Sequence, residues 1–414
     1  MLTKEQNDAI TKVGPGTPMG EFMRQFWVPA CRADALVADG APVRVRLLGE
    51  NFVAFRASDG RVGFFDEGCP HRCTSLALAR NEDNALTCIF HGWKIDVSGK
   101  VVEVPSEPPE RRNEFAAKVR VGHYPVREAA RIIFVYLGKS DAPPAFPNFN
   151  FTNLPDSHVA VQKQVIKCNW LNLLEGQLDS AHVSFLHRNG STRRGPGSLP
   201  VRGDILFDTG PRFEVETRPY GLTEAAIRRA PGGNFYVRVR EYIMPWYSSV
   251  PQGAKGVDRI MTIAQPIDDE TAAHWDVLYN LDRPLERRTG NGFSGFWDAP
   301  EAFLGDIGTF ENHFKQNRQE MKEWSWSGFP NGRYEDAAAA IAQGVVCDRS
   351  REYLGSSDTV IIKARRMLLD LAMRNFRGER VLDQAAFASL DWKSVEPVDA
   401  TIPPTMDWRQ LARD

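Results

Sequence analysis

The segments CPHRCTSLALAR (Cys69–Arg80) and CIFHGWKIDVSGK (Cys88–Lys100) decide the fold of this chain. Each offers one thiolate and one imidazole within a tight turn. Cys69 and His71 form the first pair, Cys88 and His91 the second, with sixteen residues between His71 and Cys88. Gly68 and Pro70 shape the first loop, and Gly92 loosens the backbone after the second. Two Cys and two His can bind one tetrahedral zinc ion, or a two-iron cluster in which the thiolates hold one iron and the imidazoles the other. The surroundings are β-rich. Val43–Leu48, Phe52–Arg56 and Arg131–Gly138 carry β-branched and aromatic residues and are separated by Gly, Asp and Pro turns. Cys-X-His and Cys-X-X-His on two β-loops favour the cluster over zinc.

Outward from these loops, the 414 residues suffice for two domains. Residues 1–40 read as an N-terminal segment packing on the second domain, with a short helix around Met19–Arg24 and an extended entry at Trp27–Cys31. Residues 41–140 read as the small all-β domain. The Pro-, Asn- and Phe-rich stretch Ala142–Pro155 reads as a linker, and residues 141–414 form the second domain. There, Asn169–Leu186 is helical in composition, while Arg212–Thr217, Asn234–Met244, Val257–Gln265 and Trp275–Asp282 read as strands. The span Phe296–Phe376 is expected to be mainly helical. Antiparallel strands flanked by long helices give an α+β class.

Composition narrows the function. Hydrophobic residues make up 42% and charged residues 25%, the balance of a globular protein, and the net charge of −2 favours neither nucleic acid nor an anionic membrane. Six cysteines are too few for a disulfide scaffold of this length. The segment MLTKEQNDAITKVG lacks the apolar core of a signal peptide, and no apolar run approaches the roughly 18 residues that span a bilayer. The expectation is a cytoplasmic protein.

A second constellation lies in NWLNLLEGQLDSAHVSFLHRN (Asn169–Asn189). Asp179 and His182, three apart, share a helix face. His182 and His187, five apart, are separated by about 140° on an ideal helix. Both reach one metal only if the helix ends or bulges between them. Otherwise Asp179 is a capping residue and the histidines are ordinary.

Both loops resemble, almost residue for residue, those of Rieske oxygenases, and Asn169, Trp170, Glu175, Asp179, His182 and His187 match that family's motif N-W-x₄-E-x₃-D-x₂-H-x₄-H. The resemblance implies a Rieske [2Fe–2S] cluster on Cys69, His71, Cys88 and His91, and a mononuclear Fe(II) on His182 and His187. It implies that Asp179 is a catalytic bridge to a Rieske histidine of a neighbouring subunit. A facial triad still needs a carboxylate. Asp306, Asp336, Asp348 and Asp358 are candidates. Asp336 is preferred because GRYEDAAAA resembles the family segment whose second acidic residue binds iron, and because a helix start would orient it; Asp348 is the runner-up. Thr74 and Phe90 stand where respiratory Rieske proteins place a bracing disulfide. Cys73, where relatives carry Gly, is expected to be a small buried thiol. Trp93 replaces a serine that would hydrogen-bond a cluster sulfide, so the potential should be low, on the order of −150 mV.

MGEFMRQFWVPAC (Met19–Cys31), YVRVREYIMPWY (Tyr236–Tyr247), NHFKQNRQEM (Asn312–Met321) and DRSREYLGSSD (Asp348–Asp358) extend the resemblance to the phthalate dioxygenase-like branch. That branch implies a Rieske domain joined to a helix-grip (START-like) antiparallel sheet and a homo-oligomer, a trimer or two stacked trimers. It also implies an NADH-dependent reductase carrying flavin and a plant-type [2Fe–2S] cluster. The reaction implied uses O₂ and reductase electrons on an aromatic carboxylate, with ring cis-dihydroxylation expected and O-demethylation of a methoxylated acid the alternative. A carboxylate calls for a buried arginine. Arg238 matches the family's strand arginine, its side chain opposite Val237 and Val239. Arg188, Arg193 and Arg194 make a second basic cluster.

Overall fold

A computed structural model describes residues 2–140, 142–188, 203–251, 257–287, 296–297, 300–301 and 304–411. It divides into two compact units: one of residues 14–16 and 20–146, the other of the chain up to Val13, Thr17–Met19 and the chain from Pro147 onward. The first forty residues are therefore split. The expected single N-terminal segment on the second domain holds only for the stretch through Val13 and for Thr17–Met19, because Trp27–Arg32 pairs as a strand inside the first unit.

That first unit is built of short antiparallel strands. β1 (Trp27–Arg32) joins β10 (Ile132–Tyr136) and β9 (Val126–Ala129) in one sheet. β2 (Val43–Leu47), β3 (Glu50–Arg56) and β4 (Val62–Asp66) form a second, and β5 (Arg80–Glu82), β6 (Ala85–Thr87), β7 (Lys94–Asp96) and β8 (Val101–Glu103) a third. Val53, Phe55, Phe65, Leu76, Leu86, Trp93 and Ile95 make its core, and Cys69 and Cys88 belong to the same apolar cluster. The two Cys-His loops leave this core between β4 and β5 and between β6 and β7.

The second unit centres on one antiparallel sheet. β11 (Val159–Ile166), β17 (Ala272–Tyr279), β16 (Arg259–Pro266), β15 (Tyr247–Val250), β14 (Phe235–Ile243), β13 (Gly221–Arg229) and β12 (Arg212–Arg218) follow in spatial order. β18 (Val398–Ile402) pairs with β14 at Phe235–Val239, leaving Tyr242 and Ile243 to β15. Every residue of β16 and β17 is buried, so both faces of the sheet are covered. The helix Trp170–Leu178 packs on β16 and β17, and Lys4–Thr11 packs on the long helix Thr359–Phe376.

Four strands of this sheet, β11, β13, β15 and β18, were not legible from pattern. β13 reads GLTEAAIRR, whose charged residues and alanines are poor strand formers. Among its described residues the span Phe296–Phe376 is less helical than expected: the α-helices there are Arg318–Glu323, Gly332–Ala342 and Thr359–Phe376, and Phe296 packs in a core cluster with Ala160, Ile260 and Leu278. Among the described residues, no helix is long and apolar enough to cross a membrane.

Candidate active site

The two Cys-His loops are built alike. Cys69 and Cys88 each donate their N–H to the carbonyl five residues on, of Thr74 and Trp93, both at 2.8 Å. Cys73 and Gly92 each return an N–H to the cysteine carbonyl, at 2.9 and 3.0 Å. Both residues at that point have left-handed φ, +57° for Cys73 and +72° for Gly92. This places a thiol and an imidazole at each loop tip. The His71 and His91 rings lie 4.5 Å apart between centroids, and Trp93 stacks flat on His71 at 4.6 Å while its Nε1–H donates to Ser106. Cys73 corrects the sequence reading: it is exposed rather than buried.

Burial pushes the Cys69 thiol up to about 11, with the Cys88 thiol in contact beside it. His71 Nδ1 is buried with no hydrogen-bond partner among the described residues, the condition of a ring nitrogen shaped to bind something else. Among the described residues, the one set of three or more metal-ligating atoms within 4.8 Å of each other is His182, His187 and Asp336. The four Cys and His groups are thus not drawn in around a single zinc ion, whose ligand atoms stand under about 4 Å apart. Paired thiols and paired imidazoles fit a two-iron cluster.

In the second unit the helix ends before both histidines rather than between them, so Asp179 and His182 share no helix face. The helix stops at Leu178; Asp179 is its C-cap in extended conformation (ψ 118°), and a tight turn at His182–Ser184 follows. Asp179 caps this turn, accepting from the Ala181 N–H at 2.6 Å, and its other oxygen lies 3.6 Å from His182 Nδ1. The break brings the Nε2 atoms of His182 and His187 within 3.1 Å of each other. Asp336 Oδ1 is 3.0 Å from His187 Nε2 and 3.6 Å from His182 Nε2. Three ligand atoms converging from one side leave further positions open, as a facial triad requires.

Asp336 does not owe its orientation to a helix start. Asn331 is the N-cap of Gly332–Ala342, its side chain accepting from Tyr334 N–H, and Asp336 lies one turn further in. Burial alone would raise the Asp336 carboxyl; the His187 and His182 imidazoles hold it down at about 2. Burial alone would lower His187; Asp336 and Glu335 push it up to about 10. Both shifts say that the space between these groups favours a cation, which a divalent metal supplies. The other candidate carboxylates are elsewhere: Asp306 pairs with Lys315, Asp348 is exposed and takes Ser350, and Asp358 accepts from Gly355 N–H.

The helix carrying Asp179 is anchored by Glu175. This buried carboxylate receives Arg349 (Nη2 3.0 Å) and Arg365 (Nε 2.6 Å), and Arg349 also reaches Asn172. The N-cap Asn169 donates to the carbonyls of Thr11 and Asp269.

Beyond the triad, one sheet face is charged. Ala225, Ile227, Val237 and Val239 point to a core shared with Ile402 and Trp408. Glu224, Arg228, Arg238 and Arg240 alternate with them and take the opposite face, with Glu224 across from Arg240 and Arg228 across from Tyr236. This face looks toward the metal-binding turn: Arg228 Nη2 donates to Ser180 O at 2.7 Å and to Ser184 Oγ at 3.3 Å, and Arg240 donates to Gln177 O. All four are buried. Nε and Nη1 of Arg228 and Arg238, Nε of Arg240 and both Glu224 oxygens lack a partner among the described residues. Burial raises Glu224 to about 7 and draws Arg228 down to about 10, Arg238 adding to the latter. Arg238 thus stands where the strand pattern puts it. Arg228 and Glu224 were missed with β13, although the two-residue spacing of Glu224, Ala226 and Arg228 mirrors that of Tyr236, Arg238 and Arg240; Arg240 was missed on β14, a strand that the pattern does show. Arg188 instead lies over the Trp326 ring at 4.9 Å, and Arg193 and Arg194 fall outside the described residues.

Comparison with known proteins agrees with both centres. Residues 26–125 match the Rieske [2Fe-2S] domain, and residues 135–414 match the family described as LigXa C-terminal domain like. The chain is 34% identical to the phthalate 4,5-dioxygenase oxygenase subunit of Pseudomonas putida over 99% of its own length and 94% of that protein. It is 33% identical to the 3-chlorobenzoate-3,4-dioxygenase oxygenase subunit of Comamonas testosteroni, covering 98% and 96%. Its fold matches the structure of a Pseudomonas putida CBB5 NdmA mutant with theobromine at a TM-score of 0.60, with 18% identity over 94% of this chain and 99% of that one. The [2Fe–2S] cluster and the mononuclear iron are the cofactors of these oxygenase subunits, and the chain belongs to the Rieske non-haem iron oxygenases, in their phthalate dioxygenase-like branch.

Proposed function

We propose that this terminal oxygenase acts on an aromatic carboxylate of the phthalate or substituted-benzoate type and carries out ring cis-dihydroxylation. The observation that carries the carboxylate is the buried arginine face. Three guanidinium groups with unpartnered N–H donors, accompanied on that face by Glu224 and Asp399 as acids, are costly unless a ligand accepts from them. A carboxylate does so in bidentate fashion. The two relatives named above share this substrate class by name.

In this reading Cys69, His71, Cys88 and His91 hold the cluster, and His182, His187 and Asp336 hold the iron. The two groups supply electrons and O₂ activation when bound. Everything else is done by the chain. The arginine face fixes the substrate carboxylate and so directs the ring toward the triad. Glu175 keeps the metal-bearing turn in place. Asp179, 3.6 Å from His182 Nδ1, stands as the bridge from that ligand to the Rieske histidine of a neighbouring subunit. That role makes the working protein a homo-oligomer, fed by an NADH-dependent reductase.

The test is a turnover screen with a phthalate-type reductase and NADH, offering benzoate, chlorobenzoates, phthalate isomers and methoxybenzoates. Dihydrodiol products from a carboxylated ring are expected. Formaldehyde release from methoxybenzoates without any dihydrodiol would replace dihydroxylation with O-demethylation, and turnover of neutral aromatics alone would remove the carboxylate.

A further inference from the structure

His187 is held from both sides by consecutive residues of one helix. Asp336 addresses its Nε2 at 3.0 Å, while Glu335 Oε2 lies 2.6 Å from its Nδ1. Glu335 is itself buried and fixed: its other oxygen receives the Ser327 hydroxyl, and its N–H donates to Asn331 O at 3.0 Å. Gly332 keeps the approach clear, since a Cβ there would sit 3.3 Å from His187 Nδ1. Among the described residues His182 has no comparable carboxylate. Its Nδ1 faces Asp179 at 3.6 Å, beyond hydrogen-bond reach.

We infer that Glu335 is the positioning residue of the iron site, accepting the Nδ1 proton of His187 so that Nε2 presents its lone pair to the metal. A carboxylate on the far nitrogen of a ligating imidazole fixes the tautomer, stops ring rotation and raises ligand basicity. Glu335 does not enter the ligand set itself: its oxygens are outside the group of atoms within 4.8 Å that includes Asp336. The sequence reading reached only the second residue of the acidic pair; the first one supports it. The two histidines are therefore unequal, His187 rigidly held and His182 the more adaptable ligand.

This inference rests on the reading of His182, His187 and Asp336 as the iron site, and the test separates the two. Metal-depleted protein with its cluster intact is titrated with Co(II), followed by the ligand-field absorption. Wild type is expected to bind, and no Co(II) signal, or one surviving His187→Ala, overturns the site and the inference together. With wild-type binding in hand, Glu335→Met, similar in shape but without an acceptor, is expected to weaken Co(II) about 10–100-fold. Glu335→Gln, which keeps an acceptor oxygen, should stay within about threefold of wild type. Wild-type affinity in Glu335→Met, or an equal loss in Glu335→Gln, overturns the positioning role. Should Glu335→Met not fold, Ser327→Ala replaces it, releasing the carboxylate's other oxygen. A several-fold weakening supports the role and unchanged affinity contradicts it.

Discussion

Cys73 and Gly92 are the same residue of two loops: each follows a core cysteine by four positions, bonds back to that cysteine's carbonyl, and has a left-handed backbone. Glycine adopts this conformation freely, whereas a side chain costs about 1–2 kcal/mol there. Because Cys73 is exposed, its removal leaves no cavity. Cys73→Gly is expected to leave stability unchanged or raise it by up to about 1 kcal/mol, after the entropy glycine brings to the unfolded chain. Cys73→Val, β-branched at a positive φ, should lower it by about 1–2 kcal/mol. Thermal unfolding of the three proteins, with cluster absorption as the probe, checks this order.

The Glu175 clamp predicts a large effect far from any metal. Removing the carboxylate strands the buried Arg349 and leaves Arg365 with Glu352 alone, and breaking a buried pair in this way costs about 3–5 kcal/mol. Glu175→Ala should unfold correspondingly earlier in denaturant and lose iron from the triad before the cluster bleaches. Against burial, Arg349 and Arg365 hold the Glu175 carboxyl below its ordinary 4.5. The clamp's contribution is thus present in full above about pH 4.5 and is lost as the pH falls through the lower folded value. An acid titration of wild type against Glu175→Gln measures that loss.

Glu224 titrates in the opposite sense. Burial raises it to about 7, so the folded protein is favoured while the group is protonated and loses that advantage as pH rises from about 4.5 to 7. Glu224→Gln should therefore gain stability over wild type at pH 8 and not at pH 4. The same proton governs the arginine face. With Glu224 neutral the face is more positive, so KM for a carboxylated substrate should fall between pH 8 and pH 6 in wild type and stay low throughout in Glu224→Gln. A parallel slope in both proteins would separate Glu224 from binding.

Much of this site is legible in the sequence because its parts are short-range. The Cys-His pairs occupy single turns, and the five-residue spacing of His182 and His187 already rules out one continuous helix, although the break falls at Asp179, ahead of both, and not between them. Asp336 emerged from its acidic pair and lies beside both histidines, but Asn331, not Asp336, caps the helix, so the reason given for its orientation was wrong. What pattern alone hid is cross-strand. Arg228 and Glu224 acquire meaning only beside Arg238 and Arg240, and the composition of β13 conceals the strand that brings them there. Cys73 was misjudged because a loop tip exposes what residue type would bury.

Arg238 tests the proposed substrate class. Loss of a charge-assisted hydrogen-bond pair costs about 1.5–3 kcal/mol, so Arg238→Gln should raise KM for a benzoate-type substrate roughly 10–150-fold and leave a neutral aromatic nearly unaffected. Equal effects on both would place Arg238 outside the pocket.

The central claim, two iron centres on one chain with Asp336 completing the second, is tested most directly by counting iron in Asp336→Ala. Wild type should hold about three irons and two acid-labile sulfides per chain. The variant should hold about two irons, an unchanged Rieske EPR signal after reduction, and no oxygenated product. An Asp336→Ala protein that keeps its third iron and its activity, or one that loses the cluster signal instead, would contradict the account.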